Sequence, residues 1–139
     1  MNRYRLLVLL LGSLGALTLS QCGGAKGKAA EMHNYKILKD HAEAAINTIG
    51  DDGSFPASLD AVRQQSSTVS ADSKLINPAT GEKVDPKYHT GLTTASAKES
   101  ILFSCPFNHS SGKRVVAFRD ASVKGVTEAE FKKKIAGQK

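Results

Sequence analysis

The order of apolar and polar positions divides the chain into segments of different kinds. Arg3 and Arg5 precede an unbroken apolar run, Leu6 to Leu11, which Gly12 to Leu19 continues with small residues. From Lys28 to Ile49 the pattern changes. Met32, Tyr35, Leu38, Ala42, Ala45, Ile46 and Ile49 recur at helical spacing, while Lys36, Lys39, Asp40, Glu43 and Asn47 fill the other face. That period predicts an amphipathic helix closed by Gly50, with Asp51-Asp52-Gly53 as a turn. Lys39 and Glu43 are spaced to pair along it. Ser58 is placed to cap a short helix through about Gln65, with Leu59 and Val62 facing inward. Residues 66–98 are polar and rich in turn chemistry, with Asn77-Pro78, Gly81 and Asp85-Pro86. An irregular stretch is expected there, with room for short strands near Tyr88 or Leu92.

The last third reads as strand and helix. Ile101-Leu102-Phe103-Ser104 is a strand stopped by Cys105-Pro106. Arg114 to Arg119 is the clearest strand, Asp120-Ala121 a two-residue turn, and Ser122-Val123-Lys124 the start of the return strand. A type I′ turn needs positive φ at both central residues, which costs an alanine at position 121 about 1 kcal/mol. Thr127 and Glu130 have capping-box spacing for a final helix to about Ala136, anchored by Ala129, Phe131 and Ile135 and ended by Gly137. The expected fold is α+β: an N-terminal amphipathic helix on a small antiparallel sheet, then a C-terminal hairpin and a short C-terminal helix.

Composition narrows the picture. With 139 residues and 40% apolar content, the chain has room for one small domain, taken as residues 29–139. Two cysteines exclude a disulfide-dense scaffold. The absence of Trp and an aromatic content of 6% argue against an aromatic binding platform. The formal charge is +6, but Lys132-Lys133-Lys134 is the one dense basic run, and it fits a solvated helix end. No basic stripe with groove-reading elements is visible, so nucleic acid is not an expected partner.

The opening segment reads as an address. A positive start, a short apolar middle and small polar residues form the layout of an export signal, residues 1–21. Leu6 to Leu19 spans roughly 21 Å as helix, short of a bilayer core of about 30 Å. The run ends in Leu19-Ser20-Gln21-Cys22, followed by Gly23-Gly24. This resembles the lipobox of bacterial lipoproteins, in which the Cys is acylated and the leader is cut just before it. The resemblance implies lipidation at Cys22, a membrane anchor carrying palmitate-type chains, and a mature chain of 118 residues with net charge +4. Residues 22–28 then read as a flexible tether, with Lys26 and Lys28 near lipid headgroups. The absence of Asp after the Cys implies an outer-membrane position facing the periplasm. Gln21 stands where that family usually has Gly, Ala or Ser. Ordinary cleavage after Ser20 is the alternative; it gives a freely secreted domain and leaves Cys22 free to pair with Cys105.

A second resemblance concerns the domain. Its helix, the Phe55-Pro56-Ala57-Ser58-Leu59 segment, the turn-rich middle and the terminal hairpin resemble the globular part of type II secretion pseudopilins and related prepilin-like proteins. The stretch from His109 through the Gly112 turn, the Val115-Val116-Ala117-Phe118 strand, Asp120 and Val123 carries most of it, together with the Thr127-Glu128-Ala129-Glu130-Phe131 helix start. The resemblance implies a pilin-like fold and partners among envelope or secretion-system proteins. The chain departs from that family in three places. It has no prepilin-type N-terminus, since no acidic residue precedes Glu31. The His-to-Asp spacing is one residue longer than usual, and Ala121 stands where Gly is expected.

Candidate chemistry is sparse. Cys105 and His109 are four apart, a spacing open to a thiol–imidazole pair, and a small envelope enzyme using them is the alternative to a structural or protein-binding module. His109 and Asp120 flank one hairpin arm; two ligands are too few for a zinc site. His33 and His41 are eight apart and read as helix-surface or flanking residues. Asp51-Asp52 lacks the further oxygen ligands of a calcium loop. No phosphate loop, nucleophile elbow or paired-cysteine motif occurs. The sequence therefore points to no catalytic, cofactor-binding or metal-binding residue, and to Cys22 as the modified one.

Overall fold

The computed structural model describes the backbone of residues 20–138 and the side chains of residues 24–138. Helix α1 (Ser20–Asn47) is followed by the short α2 (Leu59–Gln65). Six strands come next: β1 (Leu75–Ile76), β2 (Lys83–Val84), β3 (Lys87–Tyr88), β4 (Ile101–Ser104), β5 (Arg114–Phe118) and β6 (Val123–Val126). Helix α3 (Glu128–Ala136) is the last element. The fold is α+β, as the sequence predicts. Strands β3-β4-β5-β6 form one antiparallel sheet in that order, and β1-β2 form a separate ribbon.

Helix α1 lies across the inner face of the sheet. Leu38, Ala42 and Ala45 are fully buried there with Phe103 of β4, Val115 of β5 and Leu75 of β1. The buried row of α1 differs from the purely apolar one, because it includes Gly27, Asn34 and His41 and omits Met32. Asn34 explains its own place. Its Nδ2–H donates to the carbonyl of Ile76 at 2.8 Å, and its Oδ1 accepts from the Ile76 N–H at 2.8 Å. One carboxamide thus satisfies both main-chain groups of a strand residue, as a neighbouring strand would. This clamp ties the turn-rich 66–98 region to α1 at β1, which pairs with β2 through Leu75 with Val84 and Ile76 with Lys83. Gly53, at φ 77°, is required in the turn after α1, since a Cβ there would sit 2.7 Å from Oγ1 of Thr94.

The outer face of the sheet presents Ile101, Val116, Phe118 and Val126. Helix α3 covers it with Phe131 and Ile135, both only partly buried, and no α3 residue is fully buried. Ala129, expected as a third anchor, is exposed. The capping box is present: Thr127 Oγ1 accepts from the Glu130 N–H at 3.2 Å, and Glu130 Oε2 accepts from the Thr127 N–H at 2.8 Å. At the far end, Gln138 repeats the Asn34 device. Its Oε1 accepts from the Ile101 N–H at 2.6 Å and its Nε2–H donates to the Ile101 carbonyl at 3.0 Å, on the side of β4 where β3 pairs only with Phe103 and Ser104.

Two further expectations are corrected. Residues 22–28, taken as a flexible tether, belong to α1, whose backbone is helical from Ser20. Gly27 is buried there, and a Cβ on it would stand 3.4 Å from Oγ of Ser110. Packing on the 109–112 loop offsets the low helix propensity of the glycines. The β5–β6 turn has three residues rather than two. The Phe118 N–H donates to the Ser122 carbonyl at 2.8 Å and the Ala121 N–H to the Phe118 carbonyl at 3.0 Å. Ala121 alone takes positive φ, 63°, and is the single non-glycine to do so among the described residues. This is a tight turn followed by a left-handed residue, the common form of a three-residue hairpin loop.

Candidate functional site

Cys22 lies on the backbone of α1, but its side chain falls outside the described residues, as does the leader over residues 1–19. Among the described residues no helix is long and apolar enough to cross a membrane.

The structure does bring Cys105 and His109 together. Cys105 follows β4 and donates its N–H to the Val115 carbonyl at 3.0 Å. Pro106 ends the strand, and the loop returns through Gly112, at φ 73°. The loop is closed by His109, whose N–H donates to the Lys113 carbonyl at 2.8 Å. Sγ of Cys105 is 3.8 Å from Nε2 of His109, and the ring stands edge-on to Phe107 with centroids 5.5 Å apart. Both side chains are buried. Burial pushes the Cys105 thiol up to about 12, against the weaker opposing pull of the Arg114 guanidinium, and pushes the His109 imidazole below its ordinary value. The pair is a neutral thiol beside a neutral imidazole. A nucleophile needs the reverse arrangement, a thiolate held by a cationic partner and open to substrate. The geometry instead suits packing at a strand end.

The other sequence candidates separate. Asp120 Oδ1 accepts from the Ser122 N–H at 2.9 Å and from its hydroxyl at 2.6 Å, which occupies it in the turn. Asp52 accepts from the N–H and hydroxyl of Ser54, both at 3.0 Å. These hydrogen bonds hold both carboxyls below their usual range. Among the described residues no three His, Cys, Asp or Glu side chains converge to hold a metal.

Histidine placement is what sequence reasoning missed. His41 is fully buried rather than on the helix surface. Its Nδ1–H donates to the Ile37 carbonyl at 2.8 Å, its ring meets Phe103 edge-on at 5.5 Å, and its Nε2 is buried with no partner among the described residues. Desolvation lowers its pKa, and the nearby Arg63 lowers it further. His33 Nε2 sits 3.0 Å from the Lys74 carbonyl. His89, which the sequence did not single out, bonds Ser104 Oγ through Nε2 at 2.9 Å and faces Phe131 of α3. Burial, with a smaller contribution from Lys87, pushes it down to about 4. A usable signal existed for His41: it stands at helical spacing between Leu38 and Ala45.

The outward side of α1 is the remaining feature. Ala25, Lys28, Ala29, Met32, Lys36, Lys39 and Glu43 are all exposed and repeat every three or four residues. Met32 is 74% exposed, the one large apolar side chain so placed among the described residues. Beside it runs an open groove of about 460 Å³ lined by Lys28, Glu31, Met32 and Tyr35.

Comparison of the chain with protein-family models, with curated proteins and with solved structures finds no match.

Proposed function

We propose that this is a lipid-anchored protein of the bacterial cell envelope that acts as a structural or protein-binding module. The observation that carries the reading is the order Arg3-Arg5, apolar run, Leu19-Ser20-Gln21-Cys22 directly ahead of one small domain. Acyl chains on Cys22 contribute about 0.8 kcal/mol per buried methylene, and more than one chain makes attachment stable. The helix-on-sheet arrangement with a terminal hairpin is compatible with the pseudopilin-like resemblance, which suggests envelope or secretion-system proteins as partners and a periplasm-facing position on the outer membrane. Buried, neutral Cys105 and His109 give the enzyme alternative no support.

The test is fractionation with intact-mass analysis of the N-terminus. The expected product begins at Cys22, carries acyl mass and sediments with membranes, and Cys22→Ser releases it. An unacylated native product in the soluble or culture fraction refutes the reading and favours the secreted domain.

A further inference from the structure

We propose that the outward row of α1 lies flat on an anionic bilayer surface, with Met32 dipping into the headgroup region and Lys28, Lys36 and Lys39 against lipid phosphates. The inference rests on reading Cys22 as the acylated residue.

Three observations carry it. First, α1 is helical from Ser20, so no slack segment separates position 22 from the exposed row. Position 22 is three residues before Ala25, in step with the row at 25, 29, 32, 36 and 39. At 1.5 Å per residue, Met32 stands about 15 Å along the helix from the anchor point. A soft tether would let the domain tumble; a helix continuous with the anchor brings one side of itself to the membrane. Second, that side carries the exposed Met32, flanked one turn away on each side by Lys28 and Lys36. The broad apolar face of α1 is spent on the sheet, so its outward side offers a shallow contact, one apolar side chain among cations, in which the charges carry most of the attraction. Third, the charge is complementary to anionic lipid. From residue 24 to 43 the helix has Lys26, Lys28, Lys36 and Lys39 against Glu31, Asp40 and Glu43, and two of the three acids fall in the last four positions, so the positive excess lies toward position 22. Lys36 and Lys39 reach Asp40 and Glu43 yet remain 73% and 59% exposed, so those pairs leave the ammonium groups accessible. Each lysine at such a surface strengthens partition by about five-fold.

The chain contains no Trp, so Met32→Trp introduces a single reporter. The full acylated protein is reconstituted in phosphatidylcholine–phosphatidylglycerol vesicles with brominated acyl chains. Ala71→Trp, at an exposed site in the loop after α2, is the reference. The expected result is a blue-shifted emission at position 32, quenched about two-fold or more, and no quenching at position 71. Combined Lys28→Glu, Lys36→Glu and Lys39→Glu changes, or vesicles of phosphatidylcholine alone, abolish the quenching while the acylated chain stays bound. Unquenched emission at position 32 in protein that is acylated and vesicle-bound overturns the inference and leaves the anchor standing. Quenching that persists through the charge reversal also overturns it, because the lysines then do not direct the contact. Protein that mass analysis shows to be unacylated overturns the anchored reading, and the inference falls with it.

Discussion

The two faces of the four-stranded sheet are covered by helices of very different standing. On the inner face, α1 runs for 28 residues and places Leu38, Ala42, Ala44 and Ala45 out of reach of water. On the outer face, α3 has nine residues, none of them fully buried. Isolated helices of that length are marginal in water, so α3 depends on what it touches. Its contacts are mixed: the Arg114 guanidinium stacks over Phe131 at 4.6 Å and bonds Glu128 at 3.0 and 3.1 Å, Lys134 lies over Phe118, and Gln138 clamps Ile101. The inner face therefore holds the fold, whereas the outer cover is the element able to open without global unfolding.

Emptying the core on one face at a time separates the two helices most strongly. Leu38→Ala on the inner face leaves a cavity in the main cluster and is expected to cost about 3 to 4 kcal/mol, read as a lower urea midpoint at unchanged slope. Phe131→Ala on the outer face is expected to cost about 1 to 2 kcal/mol, since its ring is only partly buried. The accompanying signature is local. Hydrogen exchange should accelerate over α3 and at the Ile101 amide in Phe131→Ala while β5 stays protected. Equal losses from the two substitutions would refute the asymmetry.

Acid sharpens the same contrast. His41 packs on Phe103 and His109 on Cys105, both in the inner cluster, and His89 touches α3. Burial lowers all three in the folded state, whereas the unfolded chain takes up protons near the ordinary histidine value of about 6.5. The unfolded state then binds more protons, so stability is full above pH 6.5 and falls as the pH drops through that value toward about 4 for His89. Allowing for partial exposure, the His89 share is roughly 2 kcal/mol. The carboxyls held low by hydrogen bonds, such as Asp120, belong to a separate window at more acid pH, where their stabilising contribution is lost. In His89→Gln, the slope of unfolding free energy against pH between 4.5 and 6 is expected to drop by up to about 1.4 kcal/mol per unit. A slope identical to the parent would show that His89 titrates alike in both states.

Much of the architecture was legible from residue pattern because it rests on local chemistry. The Ser58 cap, the Thr127–Glu130 box, the apolar runs of β4 and β5 and the period of α1 each need only near neighbours. What escaped was set by residues far apart in the chain. Asn34 reads as a polar interruption in an apolar stripe until Ile76, 42 positions later, supplies the two main-chain groups that it satisfies. The same holds for Gln138 and Ile101, 37 positions apart. His41 looked like surface because its charge suits water, yet its Ile37 hydrogen bond and the ring of Phe103 let it stay buried and neutral. The Cys105–His109 proximity was readable from a spacing of four; the burial that pushes the thiol up was not, because it is set by how the rest of the chain packs around it.

The smallest expected effect is the most exacting test of the hairpin between the two faces. Ala121 sits at φ 63° at the tip that joins β5 to β6. The left-handed region costs an alanine roughly 1 to 2 kcal/mol, because its Cβ crowds the backbone. Glycine there removes that strain but gives up a partly buried methyl and loses more chain entropy on folding, together roughly 1 kcal/mol. The strain is expected to win by about 0.5 kcal/mol, raising Tm by a few degrees. Because Ala121 is the only residue of the loop with positive φ, one substitution should capture the whole gain, and Asp120→Gly should lower Tm by removing the acceptor for Ser122. If Asp120→Gly is the stabilising change, the loop is of the two-residue, doubly left-handed kind and the three-residue assignment fails.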